Sequence, residues 1–304
     1  MVPELTAPLT PEDPEDIRYF SYDWENLDWS PWVSFGATRE EFLCIPKTPG
    51  LYRIRPAGKN FLMYIGETGQ PLHKRLAELR QELRRTGLMP WNDPHPEAPA
   101  LWAWRDAEQF AYECSAAPLD ASQFSRRGME SFLLCRYRQE YGASPLCTFG
   151  RFHPRYRRST SRRENLRGGR LADGQKDNPA GGPGIPTLVP TGVPGDEDWM
   201  GLAWTQGCSL TGENIRTVPP APGLFIIADA ASNEPLSIGQ SMNCAARLLD
   251  QSRKSWDEYD VQFSYSMMRD LVLPHNLREL KNDLVGDYFG RTRKAPEFQF
   301  RISR

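Results

Sequence analysis

Gly50-Leu51-Tyr52 followed by Tyr64-Ile65-Gly66-Glu67-Thr68 is the stretch on which the reading of this chain turns. It reads as two short strands, Leu51–Arg55 and Leu62–Glu67. Pro56-Ala57-Gly58-Lys59-Asn60 between them supplies the Pro, Gly and Asn of a hairpin turn. The pattern returns as Gly223-Leu224-Phe225 and Ser237-Ile238-Gly239-Gln240-Ser241, and the 12-residue step from Tyr52 to Tyr64 equals that from Phe225 to Ser237. An internal duplication follows. A length of 304 residues, room for about two domains of roughly 150 residues, agrees with it.

Working outward, Pro71–Arg85 has Leu72, Leu76, Leu79 and Leu83 at helical spacing and carries His73, Lys74 and Arg75 in its first turns. Pro90, Pro94, Pro96 and Pro99 then predict a loop over Met89–Ala100 that holds Asp93-Pro94-His95. A third strand is expected near Phe110–Cys114, then a helix over Arg127–Tyr141 closed by Gly142. The second copy repeats the order: strands Leu224–Asp229 and Pro235–Gln240, a helix near Met242–Arg253, and a strand Val261–Met267. A helix near Asn276–Phe289 and a last strand Glu297–Arg301 complete it. Phe110-Ala111-Tyr112 and Phe263-Ser264-Tyr265 match as third strands, so only the first copy carries the Asp93-Pro94-His95 insertion. Trp32 precedes Gly50 by 18 residues and Trp204 precedes Gly223 by 19, so each copy begins with a tryptophan segment expected to cover its sheet.

Composition bounds the partners. A formal net charge of -2 leaves no global polycation, so a nucleic acid would have to be held by local patches. The first 48 residues carry ten acids with Trp24, Trp29 and Trp32 among them, whereas Arg151–Arg170 holds eight arginines against Glu164 alone. Within that basic run Arg155, Arg157, Arg158, Arg162 and Arg163 are candidate phosphate contacts; a solvated loop is the plain alternative. Residues 155–197, basic and then Gly/Pro-rich, read as a flexible linker. Six scattered cysteines without a CxxC pair read as reduced thiols. With no apolar run near the ~18 residues of a membrane span, a soluble, cytoplasmic protein is expected.

Tyr52, Tyr64, Arg75 and Glu130 form the chemical constellation: two phenols on adjacent strands, a guanidinium on the next helix, a carboxylate on the one after. Phosphodiester hydrolysis suits them. A phosphorane-like state gathers charge that a planar guanidinium meets with paired donors, and a carboxylate can hold a divalent cation. A phenol of pKa ~10 needs a nearby cation, such as Lys74, protonated His73 or the metal, to act as a base at neutral pH. His95 reads equally as a loop-ordering residue or a phosphate or water contact.

At these residues the chain resembles the GIY-YIG nuclease superfamily. Gly50-Leu51-Tyr52 stands for the first triplet, and Tyr64-Ile65-Gly66 is the second verbatim. The resemblance implies an α+β chain of two GIY-YIG-like modules, each a small three-stranded antiparallel sheet flanked by helices. The boundaries are 1–48 (an acidic cover), 49–154 (the catalytic module), 155–197 (the linker) and 198–304 (a degenerate copy). It implies DNA cleavage with one Mg²⁺ or Mn²⁺ held by Glu130, Arg75 on the phosphate and Tyr52 as the base, with Thr148 nearest the family's supporting asparagine. In the second copy Phe225 and Ser237 replace the phenols, while Arg247 and Glu279 remain to grip a phosphate or pair with each other. One live copy per chain implies homodimerisation or nicking. A compact two-module chain without zinc fingers most resembles a restriction or defence enzyme; the alternative is a non-catalytic DNA-binding or sensing protein.

Overall fold

The computed structural model describes residues 17–84, 87–268, 270 and 272–301, so the acidic stretch before Ile17 lies outside the described residues. The chain is α+β and divides into two compact units. One is built on residues up to Arg126 with Tyr137–Gly184, the other on Arg127–Arg136 with Ile185–Arg304.

The first unit runs β1 (Val33–Ser34), β2 (Gly50–Pro56), β3 (Tyr64–Thr68), α1 (Leu72–Arg84), α2 (Ala98–Glu108), β4 (Tyr112–Pro118), α3 (Gln123–Tyr141), β5 (Tyr156–Arg157) and β6 (Gly169–Arg170). Its main sheet is four-stranded and antiparallel, in the order β1-β4-β2-β3. The expected three strands are therefore joined by a fourth, which pairs Val33 with Cys114 on the β4 edge. Both faces of β2 are covered, so its sequence does not alternate cleanly. Tyr52 and Ile54 face a core with Leu72, Leu76 and Leu79 of α1, where full burial of each large apolar side chain stabilises by about 1.5–3 kcal/mol. The opposite face holds Arg53, fully buried. Its guanidinium donates to the carbonyls of Tyr19, Phe20 and Ser21 and lies 4.2 Å from the Trp29 ring and 4.8 Å from that of Trp32. This is how the tryptophan segment is pinned to the sheet.

Two readings of this unit are corrected. The Pro-rich loop ends in a helix, α2, because Pro99 falls in its first turn, where a missing N–H costs nothing. Residues 155–184 are not a flexible linker. The Tyr156 side chain is fully buried, its hydroxyl donates to Asp106 (2.6 Å), and Asn178 and Ala180 bond back to the Tyr156 and Phe152 main chain.

The second unit continues with β7 (Cys208–Ser209), α4 (Gly212–Ile215), β8 (Gly223–Asp229), β9 (Pro235–Ser241), α5 (Cys244–Gln251), β10 (Val261–Met267) and α6 (Pro274–Thr292). Its sheet is again four-stranded, ordered β7-β10-β8-β9. The expected last strand is absent among the described residues, since 297–300 form turns. Residues of α3 counted with this unit meet α6, where Asn282 donates to the Ser131 carbonyl (3.0 Å).

Register aligns the two sheets. Tyr52 lies opposite Gly66 and Ala116, as Phe225 lies opposite Gly239 and Tyr265. Phe263 therefore corresponds to Cys114, not to Phe110. The tryptophan segments also align bond for bond. Trp29 donates its indole N–H to the Trp24 carbonyl at 3.0 Å, and Trp204 donates to Trp199 at 3.0 Å. Ser30 N–H bonds to Ala116 on β4, and Thr205 N–H to Tyr265 on β10. Trp204 is thus the counterpart of Trp29 rather than Trp32, whose place is taken by Gly207. The shared sequence is Asp-Trp-x-x-Leu-x-Trp, at Asp23–Trp29 and Asp198–Trp204.

Candidate functional site

In the first unit Tyr52 on β2 and Tyr64 on β3 point to the same face, with ring centroids 5.8 Å apart. Gly66 makes that possible: a Cβ there would lie 2.5 Å from Tyr64 Cε1 and 2.9 Å from Tyr52 Cζ. Tyr52 is fully buried and Tyr64 half-buried. The first turn of α1 brings Arg75 to them, and the segment before α2 brings a residue the sequence did not single out, Glu97. Tyr52 donates its hydroxyl proton to Glu97 Oε1 (2.9 Å), and Arg75 donates to Glu97 Oε1 (2.9 Å) and Oε2 (3.2 Å) and to the Pro94 carbonyl (3.2 Å). The Glu97 side chain is wholly buried and that of Arg75 is 15% exposed.

Electrostatics follow from burial. Burial, reinforced by the Glu97 charge, pushes the Tyr52 phenol well above its ordinary range; Arg75 opposes this and loses. Burial would lower the Arg75 guanidinium, but Tyr52 and Glu97 together outweigh it and the net direction is up. His95 is 2% exposed; burial and the Arg75 charge bring it down to about 4. Its Nδ1 stands 4.0 Å from Glu97 Oε1 and its Nε2 3.7 Å from Glu78 Oε2. His95 also lines an open cleft of about 470 Å³ with Lys74, Glu78, Glu82, Asp93 and Arg162. It is thus the ring between the cleft and the buried carboxylate.

The remaining expected residues fall as follows. Lys74 is exposed and reaches Glu78 only at 3.9 Å; His73 is half-buried with its Nδ1 enclosed and without a hydrogen bond. Thr148 is buried and closes a local turn by donating to the Pro145 carbonyl (2.8 Å). Glu130 sits half-buried on α3 within Arg127–Arg136, the stretch counted with the second unit. Of the arginines, Arg155 is bound to Asp177 and two carbonyls, and Arg158 donates to Arg151 O and lies 5.0 Å from the Phe152 ring. Arg162 is exposed, with its main-chain N–H on Asp93 and its guanidinium 3.8 Å from Glu82; Arg157 and Arg163 are exposed.

In the second unit Phe225 is buried among Cys244, Leu248 and Phe263, and its ring fills the space a Cβ on Gly239 would need, 2.0 Å from Phe225 Cζ. Ser237 is half-buried and Arg247 exposed. Glu279 is fully buried and accepts from the Ile185 N–H (3.0 Å) and Asn276 (3.4 Å). These contacts fasten the Ile185 segment to α6.

The resemblance gives the divalent ion to Glu130, half-buried on α3; Glu97 does not fit it as a ligand. Both its oxygens are occupied by Arg75, and Oε1 also by Tyr52. Among the described residues no group of three or more His, Cys, Asp or Glu gathers as a ligand set, and no helix is long and apolar enough to cross a membrane. The chain matches no family model, no curated protein and no solved structure in the three comparisons.

Glu97 had a faint signal in the sequence. Its position just before Ala98-Pro99 marks a helix start, at which acidic side chains are favoured.

Proposed function

We propose that the chain is a metal-dependent DNA endonuclease of restriction or genome-defence type. In this reading the first unit is the cleaving GIY-YIG-like module and the second a degenerate copy that supports DNA binding or assembly. The observation that carries it is the meeting of Arg75, Tyr52 and Glu97 beside Tyr64, four groups from four segments of the chain, three of them named by the motif.

Their roles follow from their surroundings. Arg75 is the one guanidinium in this cluster, and an incoming phosphodiester competes with Glu97 for it. The phosphate gains paired charge-assisted donors as charge builds on its oxygens. Glu97, once displaced from Arg75, takes the proton of the attacking water as its oxygen bonds to phosphorus and the P–O bond to the leaving sugar oxygen breaks, that oxygen taking a proton from solvent. This reassigns the base from Tyr52, because a phenol whose pKa burial has raised resists losing its proton. Tyr52 then orients Glu97, and Tyr64, less buried, hydrogen-bonds the phosphate. Arg157 and Arg163, both exposed, hold the DNA backbone.

The test is incubation with supercoiled plasmid and with single-stranded DNA, each with Mg²⁺, Mn²⁺ and chelator, the metal arms being those the resemblance calls for. Nicking or linearisation that chelator stops is expected. Intact DNA on every substrate with both metals refutes the reading.

One observation favours a second reading, a non-catalytic DNA-binding module. Arg75 already has a carboxylate partner, and Tyr52 is sealed from solvent. DNA retention without any cleavage would select it.

A further inference from the structure

The two tryptophan segments are built alike but what they enclose differs. In the first unit the space between the segment and the sheet is filled by Arg53, Arg55 and Trp32: Arg55 lies 4.1 Å from the Trp32 ring and bonds Glu113 (2.9 Å), beside Arg53 on its three carbonyls. Register places Ile226, Ala228, Gly207 and Gln262 at the positions of Arg53, Arg55, Trp32 and Glu113. Two guanidinium side chains and an indole are thus replaced by two short apolar residues and a glycine, over which stands the Gln262 side chain, bonded to Asn233 (2.8 Å). The outcome is a cavity of about 260 Å³ in the second unit, lined by Trp204, Gly207, Ile226, Ala228 and the Gly195–Glu197 segment.

The walls keep what the first unit uses to hold a guanidinium. Trp204 has the place and indole hydrogen bond of Trp29, whose face carries Arg53 at 4.2 Å. Gly195 and Asp196 take the chain positions of Phe20 and Ser21, whose carbonyls accept from Arg53; the Gly195 carbonyl here accepts from Asn233 Nδ2 (3.4 Å), a contact an incoming guanidinium would replace. The matching turns Ser21 N–H to Arg18 O and Asp196 N–H to Val193 O, both 3.0 Å, fix that alignment. Glu197 adds an exposed carboxylate, whereas that of Asp196 accepts from the Val193 N–H (2.8 Å), and no Lys, Arg or His lines the cavity among the described residues. At about 260 Å³ it is smaller than the ~300–1,000 Å³ of ordinary small-molecule sites and suits one side chain.

We infer that this cavity is a receptor for a guanidinium group, the arginine side chain of a partner protein or free arginine, seated on Trp204 as Arg53 is seated on Trp29. Planar stacking with fork-like donors favours arginine over lysine.

The probes are N-acetyl-arginine amide, N-acetyl-lysine amide and free L-arginine, titrated into the full chain while the Trp204 indole N–H is followed by NMR. Saturable binding of the arginine probes with no saturation by the lysine probe is expected. Stronger binding of the blocked amide points to a protein side chain, and stronger binding of free L-arginine to the amino acid; either carries the guanidinium claim. Ile226→Arg, which restores the filling of the first unit, is expected to abolish binding. Glu197→Gln, at an exposed position that leaves the fold intact, is expected to weaken binding about threefold. No saturable arginine binding, equal binding of lysine, or a wild-type response in Glu197→Gln overturns the inference.

Discussion

At the scale of single residues the first unit depends on one buried ion pair. Removing Arg75 leaves Glu97 charged and enclosed, whereas Glu97→Gln leaves a guanidinium that reaches solvent. Arg75→Ala is therefore expected to cost about 3–5 kcal/mol of stability, and Glu97→Gln about 1–3 kcal/mol. Urea unfolding measures both, and the reverse order would mean that the charge of Glu97 is not the buried liability. His95 adds a pH dependence. Its pKa is about 4 in the fold against 6.5 when unfolded. The unfolded chain therefore takes up the proton first as pH falls. The stability held in neutral His95 is complete above 6.5 and is lost as pH drops from 6.5 towards about 4. Comparing urea midpoints at pH 7 and pH 5, His95→Gln is expected to lose less than the wild type. Glu78 and Glu97, which face the ring, are present in both proteins. Equal losses would show that His95 is protonated in the fold.

At the scale of elements the hairpins were legible and the insertion was not. Gly66 and Gly239 each lie opposite an aromatic residue whose ring occupies the place of a Cβ. The glycine of the second triplet and the tyrosine or phenylalanine of the first are thus one steric unit, present in both units although the second has no phenols at these positions. Gly239→Ala is expected to destabilise the second unit by about 1–3 kcal/mol through overpacking, with part recovered by adding Phe225→Leu; thermal unfolding of the single and double variants checks this. An unaffected single variant would mean that the Phe225 ring moves freely. α1 was legible because four leucines repeat at helical spacing. α2 was hidden because Pro94, Pro96 and Pro99 read as breakers, while only the start of a helix tolerates a proline. Glu97 was hidden with it, since its bond to Arg75 spans 22 residues of chain that local pattern does not connect. The tryptophan alignment lay open in Asp-Trp-x-x-Leu-x-Trp, but distance from the glycine triplet favoured Trp32. The edge strands β1 and β7, two residues each, are too brief for periodicity to show the register.

At the scale of the whole molecule, two units share one strand order and differ in what fills each face. The first unit keeps Tyr52, Tyr64 and Arg75 and adds Glu97 on the core face, while Arg53 fills the other. The second keeps the aromatic ring at Phe225, turns its helix glutamate into a chain fastener, and leaves a cavity on the opposite face. Division of labour between a reacting copy and a binding copy is the reading proposed for that difference. The most direct test is the rate of plasmid cleavage by the full chain carrying Glu97→Gln beside the wild type, each confirmed folded by circular dichroism. Loss of the proton acceptor is expected to slow cleavage by about 10²–10⁴-fold while DNA retention on a filter is unchanged. A Glu97→Gln variant that cuts at the wild-type rate would contradict it.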